Sequence, residues 1–261
     1  MVHSIMFPGP GPIRPAYTFA LILSSIFLRW TGPRSNWYSW VGSTVQPGDV
    51  PEVYMPRSAW IIGNTDGIGR ALTRRLLSRG WGVTGISRSE SKLTDTGYEH
   101  HVTDVTATGY PALLARLIER GLPELVVYCA GIGEELNLED MHLEPRTFEV
   151  NLLGMVRTAA AVIPPMVARG SGHFIGLSSL ADVLALPDAT AYCASKAGFS
   201  NYLAGLARAT RKTGVAVTCV RFGFVDTKMA KGTVRPLMLP VERAVDHLEG
   251  CIRPAIPPPG S

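Results

Sequence analysis

Short apolar runs alternate along the chain with longer segments whose apolar residues recur every three to four positions. The runs are SAWII at Ser58–Ile62, GVTGIS at Gly82–Ser87, YEHHVTDV ending in Asp104 and Val105, PELVVYC at Pro123–Cys129, GHFIGLSS ending in Ser179, and VAVTCVRF at Val215–Phe222. Between them lie RALTRRLLSRG, TATGYPALLARLIER, FEVNLLGMVRTAAAVIPPM and AYCASKAGFSNYLAGLARA, and VERAVDHLEGCIR follows the last run. Near-continuous apolar runs are how strands buried on both faces of a sheet read, and strands alternating with helices build a parallel sheet. The pattern predicts an α/β fold, one doubly wound parallel sheet flanked by helices. Pro164 and Pro165 are expected to kink or end their helix, because proline lacks the N–H that a helix interior uses.

Residues 1–54 break this pattern with FPGPGPIRP, an apolar run from Ala16 to Leu28, and a Trp-, Ser- and Gly-rich stretch to Val53. The apolar run is too short for an ordinary transmembrane helix, which takes about 20 residues. It suits a signal-peptide core, a shallow anchor giving weak membrane association through residues 16–28, or a segment outside the fold, with the functional chain starting at Met55. The expected organisation is a poorly structured leader or extension at 1–54, one domain at 55–252, and a Pro-rich tail, RPAIPPPGS, at 253–261.

Composition narrows the function classes. At 261 residues and 46% hydrophobic, the chain can bury one sizeable core. The net charge of +4 comes from scattered Lys and Arg, not from the clustered footprint of a nucleic-acid binder. Cys129, Cys193, Cys219 and Cys251 show no C-x-x-C spacing. They build neither a structural zinc site nor a disulfide framework, which fits a reducing, cytoplasmic setting, with membrane association as the alternative. His100 and His101 have no ligand set nearby and read as surface or packing residues, so no metal is expected.

Candidate chemistry sits where runs meet helices. The turn GNTDGIG, with Gly63, Asn64, Thr65, Gly67, Ile68 and Gly69, joins the first run to the first helical segment. Glycines there allow a sharp turn and close backbone approach to a pyrophosphate, and the helix start offers unpaired N–H groups, as in a Rossmann-type nucleotide-binding sheet. At the end of the second run, Ser87 stands where an acidic residue would bind the ribose of NAD, and Arg88 follows it. A guanidinium suits the 2′-phosphate of NADP, so NADP is expected over NAD, while Asp66 in the turn would repel that phosphate unless turned away. Tyr192 and Lys196 are four apart on one helix face. An ammonium beside a phenol stabilises the phenolate and makes a general acid/base. Ser179 should emerge at the carboxyl edge of its strand, where ligands of parallel sheets bind.

The turn Gly-x-x-x-Gly-x-Gly, with Ser179 thirteen residues before Tyr192 and Lys196 four after it, resembles the classical short-chain dehydrogenase/reductase family from about Ala59 to Met229. Ile62 stands where that family has a threonine, Tyr128 and Cys129 replace its paired asparagines, Phe222 replaces a proline, and the tail is too short for the further strand usually added. The resemblance implies hydride transfer between nicotinamide C4 and a ketone or secondary alcohol. Ser179 would bond the substrate oxygen, Tyr192 would donate or take its proton, and Lys196 would lower the phenol pKa and hold the nicotinamide ribose. Asn151 would interrupt its helix and hold a water joining the lysine to solvent. Asp104 would bond the adenine amino group with Val105 beside the ring, unless it caps the following helix. Ala130 and Gly131 would pass the ribose, and Gly223, Val225 and Thr227 would hold the carboxamide and a phosphate oxygen. Leu180, Val183, Leu184 and Leu186 form an apolar approach that suits a lipophilic substrate or plain packing. Family members often pair through the helices that here carry Asn151 and Tyr192, so a homodimer or homotetramer is expected. The alternative is an NADP(H)-binding sensor without turnover.

Overall fold

The computed structural model describes residues 57–230 and 238–252. The leader at 1–54, with its apolar run at 16–28, and the tail at 253–261 lie outside the described residues. Six strands, β1 (Ser58–Ile62), β2 (Gly82–Ser87), β3 (Tyr98–Val102), β4 (Leu125–Tyr128), β5 (Gly172–Ser179) and β6 (Val215–Phe222), form one sheet in the order β3-β2-β1-β4-β5-β6. Every neighbouring pair is parallel. The order reverses between β1 and β4, which opens a crevice at the carboxyl ends of those strands.

Helices cover both faces because the strands are apolar on both. Trp60, Ile62, Ile86, Val126, Tyr128 and Phe174 face α2 (Tyr110–Arg120), α4 (Gly154–Arg169) and α5 (Thr190–Ala209). Their sequence neighbours Ala59, Ile61, Val83, Val127 and Ile175 face α1 (Gly67–Ser78) and α6 (Val241–Glu249). Leu72, Leu114, Phe174 and Phe199 are fully buried, each contributing roughly 1.5–3 kcal/mol by removal from water.

Three boundaries differ from the sequence expectation. β3 stops at Val102, because Asp104 closes a turn by accepting from Thr106 N at 2.9 Å and Thr106 Oγ1 at 2.8 Å. Asp104 is therefore not the cap of α2, whose first turn follows Gly109. Nor do Pro164 and Pro165 end their helix, since α4 runs on to Arg169. Both Ala160 and Pro164 are exposed, so water can take the place of the missing proline donor at that carbonyl. The run Leu143–Arg169 is long and apolar enough to cross a membrane, and half of that apolar stretch is buried inside the protein, as in a core helix. It comprises α3 (Leu143–Phe148), a π-helical turn (Glu149–Leu153) and α4.

Candidate active site

The turn from β1 into α1 forms one wall of the crevice. Gly63 has a φ of +89°, and a Cβ there would stand 2.6 Å from Ala130 N, so only glycine lets the two loops pass this closely. Asp66 caps α1 by accepting from Gly67 N at 2.8 Å, and its other oxygen lies 3.3 Å from Lys228 Nζ. Its charge is thus turned toward a cation on the segment after β6. Thr227 rests its methyl group against Gly67 on the same side. Val225 is buried, its neighbour Asp226 is tied to Leu239, and Phe222 packs beneath them in the α1/α6 core.

The carboxyl end of β2 is occupied differently from the sequence expectation. Ser87 is buried, and its hydroxyl accepts from Asn64 N and donates to Asn64 Oδ1, each at 2.9 Å. Its one proton and one of its two acceptor lone pairs are spent on the glycine turn. Arg88 is exposed just beyond it. After β3, Arg146 Nη2 donates to Asp104 Oδ2 at 2.7 Å. Burial works to raise the Asp104 carboxyl, but its bonds from Thr106 and the Arg146 charge hold it below the usual carboxylate range. Val105 is buried beside it.

Ser179, Tyr192 and Lys196 come together at the end of β5. The Ser179 hydroxyl accepts from Ala181 N at 3.2 Å, which leaves its own proton free to donate. Burial pushes the Tyr192 phenol above its ordinary range, and hydrogen bonding with Ser179 pulls it back. Lys196 is buried at 5% exposure, and its ammonium donates to Leu177 O at 2.9 Å. It lies 5.8 Å from the Tyr192 ring centre and 4.9 Å from that of Phe199. Burial lowers the Lys196 pKa to about 8, against the opposing pull of Cys219, Cys129 and Asp182. Ser179, not Lys196, is what pulls the phenol down here, and the ammonium is engaged with a β5 carbonyl.

A family described as short chain dehydrogenase matches residues 57–236. An uncharacterized oxidoreductase of Myxococcus xanthus is 34% identical over 213 residues, covering 76% of this chain and 84% of the relative. Oxidoreductase UcpA of Escherichia coli is 31% identical over 192 residues, covering 69% and 73%. A short chain dehydrogenase from Burkholderia cenocepacia, solved in complex with NADP, superposes with a TM-score of 0.65 at 26% identity, covering 74% of this chain and 84% of that one. The chain belongs to the short-chain dehydrogenase/reductase family.

It is an oxidoreductase of that family, whose members use NAD or NADP. The residues fit such a dinucleotide, because Gly63, Gly67 and Gly69 keep the turn bare of side chains at those positions and the first turn of α1, beyond the Gly67 N–H that Asp66 takes, begins at the crevice. Asn151, fully buried in the π-helical turn, donates to Ile132 O at 2.9 Å and to Ser195 Oγ at 3.0 Å, and accepts from Ile132 N at 2.8 Å. Ser195 in turn donates to Tyr192 O at 2.8 Å. Gly131 lies between Asn151 and Lys196, and Gly133 lies against the Tyr192 ring.

Several partners escaped the sequence reading. Tyr128, which replaces a family asparagine, donates to Val150 O at 2.6 Å and so braces β4 to the π-helical turn. Asp182, beside Ser179, lies 2.6 Å from Arg221 Nε and accepts from Ser200, which lies 2.7 Å from Ser178. A lone acidic residue in the apolar stretch LADVLAL was the available signal. That clamp holds the 3-10 turn Leu180–Val183, at whose end Val183 is exposed, as are Leu184 and Leu186 beyond it.

Proposed function

We propose that this chain is an NADP(H)-dependent reductase of a ketone, or dehydrogenase of the matching secondary alcohol, acting through Ser179, Tyr192, Lys196 and Asn151. The observation that carries the reading is the meeting of the Ser179 hydroxyl, the Tyr192 phenol and the buried Lys196 ammonium at the mouth of the crevice. Gly63, Asn64, Thr65, Gly67, Ile68 and Gly69 would hold the pyrophosphate end of the cofactor, Arg88 its 2′-phosphate, and Asp104 and Val105 its adenine. Ala130, Gly131, Gly223, Val225 and Thr227 would line the nicotinamide half. When bound, the cofactor supplies or accepts a hydride. Ser179 Oγ–H orients the substrate oxygen, and Tyr192 Oη passes a proton to it or takes one from it. For that role Lys196 must turn from Leu177 O toward the phenol and lower its pKa, opposing the effect of burial. Asn151 fixes the backbone at Ile132 and, through Ser195, the first turn of α5. NADP is favoured over NAD by Arg88, by the absence of a carboxylate at Ser87, and by the turning of Asp66 toward Lys228. The exposed Val183, Leu184 and Leu186 favour a lipophilic carbonyl or alcohol substrate.

The working unit is residues 55–252, cytoplasmic, pairing as a homodimer or homotetramer through α4 and α5, with weak membrane association through residues 16–28 as the alternative. Tyr192→Phe is expected to abolish ketone reduction while NADPH still binds with wild-type affinity, read by NADPH fluorescence titration and absorbance at turnover. Undiminished turnover would remove the proposed acid, and equal loss of both would make the phenol structural. A second reading, an NADP(H) sensor, is supported by the engagement of Lys196 with Leu177 O and the upward shift of the phenol. Binding without turnover across a broad ketone panel would favour it.

A further inference from the structure

β2 carries a notch. Gly85 lies in the middle of that strand, and a Cβ there would stand 2.0 Å from Asn64 Nδ2 and 2.8 Å from Tyr98 Oη. The Asn64 side chain therefore leaves the glycine turn and inserts where a side chain of β2 would otherwise sit, fully buried. A buried amide must find partners for its donors and acceptor. Asn64 Oδ1 takes the Ser87 proton, and Asn64 Nδ2 donates to the Tyr98 hydroxyl. That hydroxyl lies 3.2 Å from His100 Nδ1, and His100 Nε2 lies 2.9 Å from Ser89 O. A carbonyl can only accept, so Nε2 carries a ring proton, and in the tautomer that it defines Nδ1 is the acceptor. Tyr98 then donates to His100 and accepts from Asn64, and the proton order runs one way from the glycine turn to the loop after β2. The two rings stack with centroids 6.1 Å apart at 25°. Ser91 bonds with the same Tyr98 hydroxyl and so draws its pKa down against burial.

We propose that Asn64, Tyr98 and His100 form a strut that fixes the backbone beside Arg88 and so sets selectivity for a 2′-phosphorylated dinucleotide, with His100 as the terminal positioning residue. The proposal rests on the NADP(H) reading above. Ser87 has no proton left to give to a ribose or phosphate oxygen, because its proton goes to Asn64 Oδ1. Discrimination at this corner then falls to Arg88, which is exposed and has no ion-pair partner among the described residues. A fork-shaped guanidinium contact depends on where its backbone stands. β2 itself is anchored by Thr103 N to Ser87 O at 2.8 Å, and the next carbonyl held beyond it is that of Ser89, held by His100.

The test titrates the full chain with NADPH and with NADH in wild type, Arg88→Ala, His100→Leu and His100→Gln. Arg88→Ala should weaken NADPH binding by about tenfold or more and leave NADH unchanged, as expected for a lost charge-assisted contact. His100→Leu should weaken NADPH by roughly three- to tenfold with NADH within about twofold of wild type. His100→Gln, whose amide N–H can still reach Ser89 O, should stay within about twofold of wild type for both. Equal loss of both cofactors in His100→Leu, or an unchanged preference, overturns the proposal alone, and so does a His100→Gln as impaired as His100→Leu. A wild type that binds both cofactors alike overturns the NADP(H) reading and this proposal with it.

Discussion

Lys196 shows at the scale of one residue what the fold has to tolerate. A primary ammonium with one carbonyl partner is costly to bury, and burial lowers its pKa from 10.5 to about 8. The unfolded chain therefore binds more protons than the folded one between about pH 8 and 10.5, and stability contributed at this site rises with pH through that window. The penalty is fully present below pH 8 and is on the order of 3 kcal/mol. Lys196→Met removes it, so the variant should be the more stable at pH 7, with the gap closing as pH rises to 10.5. Parallel urea melts at several pH values would check this, and a gap independent of pH would mean that the ammonium is not desolvated. The thirteen-residue and four-residue spacings that join Ser179, Tyr192 and Lys196 are legible from the chain because they lie within one strand–turn–helix unit. The partners of Asn64, Asp66 and Ser87, and Arg146 on Asp104, are not, because Ser87 is 23 positions from Asn64, Arg146 is 42 from Asp104, and Lys228 follows the last strand.

Among the elements, the π-helical turn Glu149–Leu153 does most to shape the crevice. It turns Asn151 toward Ile132 and Ser195, and its Val150 O accepts from Tyr128 at 2.6 Å. Tyr128 is fully buried, so burial pushes its phenol well above the ordinary range and it stays a neutral donor. Tyr128→Phe leaves a buried carbonyl without its partner and should lower stability by about 1–3 kcal/mol. A shift of that size in the denaturation midpoint, with an unchanged slope, is the expected result, and a midpoint equal to wild type would show that Val150 O finds another donor. The asparagine in its apolar helix was readable as a departure from helical pattern. The tyrosine was readable only as a loss, since its reach to Val150 spans 22 positions. Of the kink or end expected at Pro164 and Pro165, the end does not occur, for a related reason, because a proline on the solvent side removes a bond that water can replace.

For the whole molecule, the sheet order β3-β2-β1-β4-β5-β6 gathers the glycine turn, the ends of β2 and β5, and the segment after β6 around one crevice. A chain begun at Met55 should therefore melt cooperatively and bind NADPH with the affinity of the full chain, measured by thermal melt and fluorescence titration. Lost binding in a folded chain would assign residues 1–54 a part in the site. Helix and strand identity, the parallel class of the sheet and the family-like spacing were determined by the sequence itself, because period, glycine placement and proline placement act locally along the chain. The exchange of hydrogen bonds at the end of β2, the partner of Asp66, the rescue of Val150 by Tyr128 and the burial that holds the Tyr192 phenol high were decided only by tertiary structure. Each depends on which distant groups share a buried space, and in that space an unmatched donor, acceptor or charge is costly enough to dictate its neighbours.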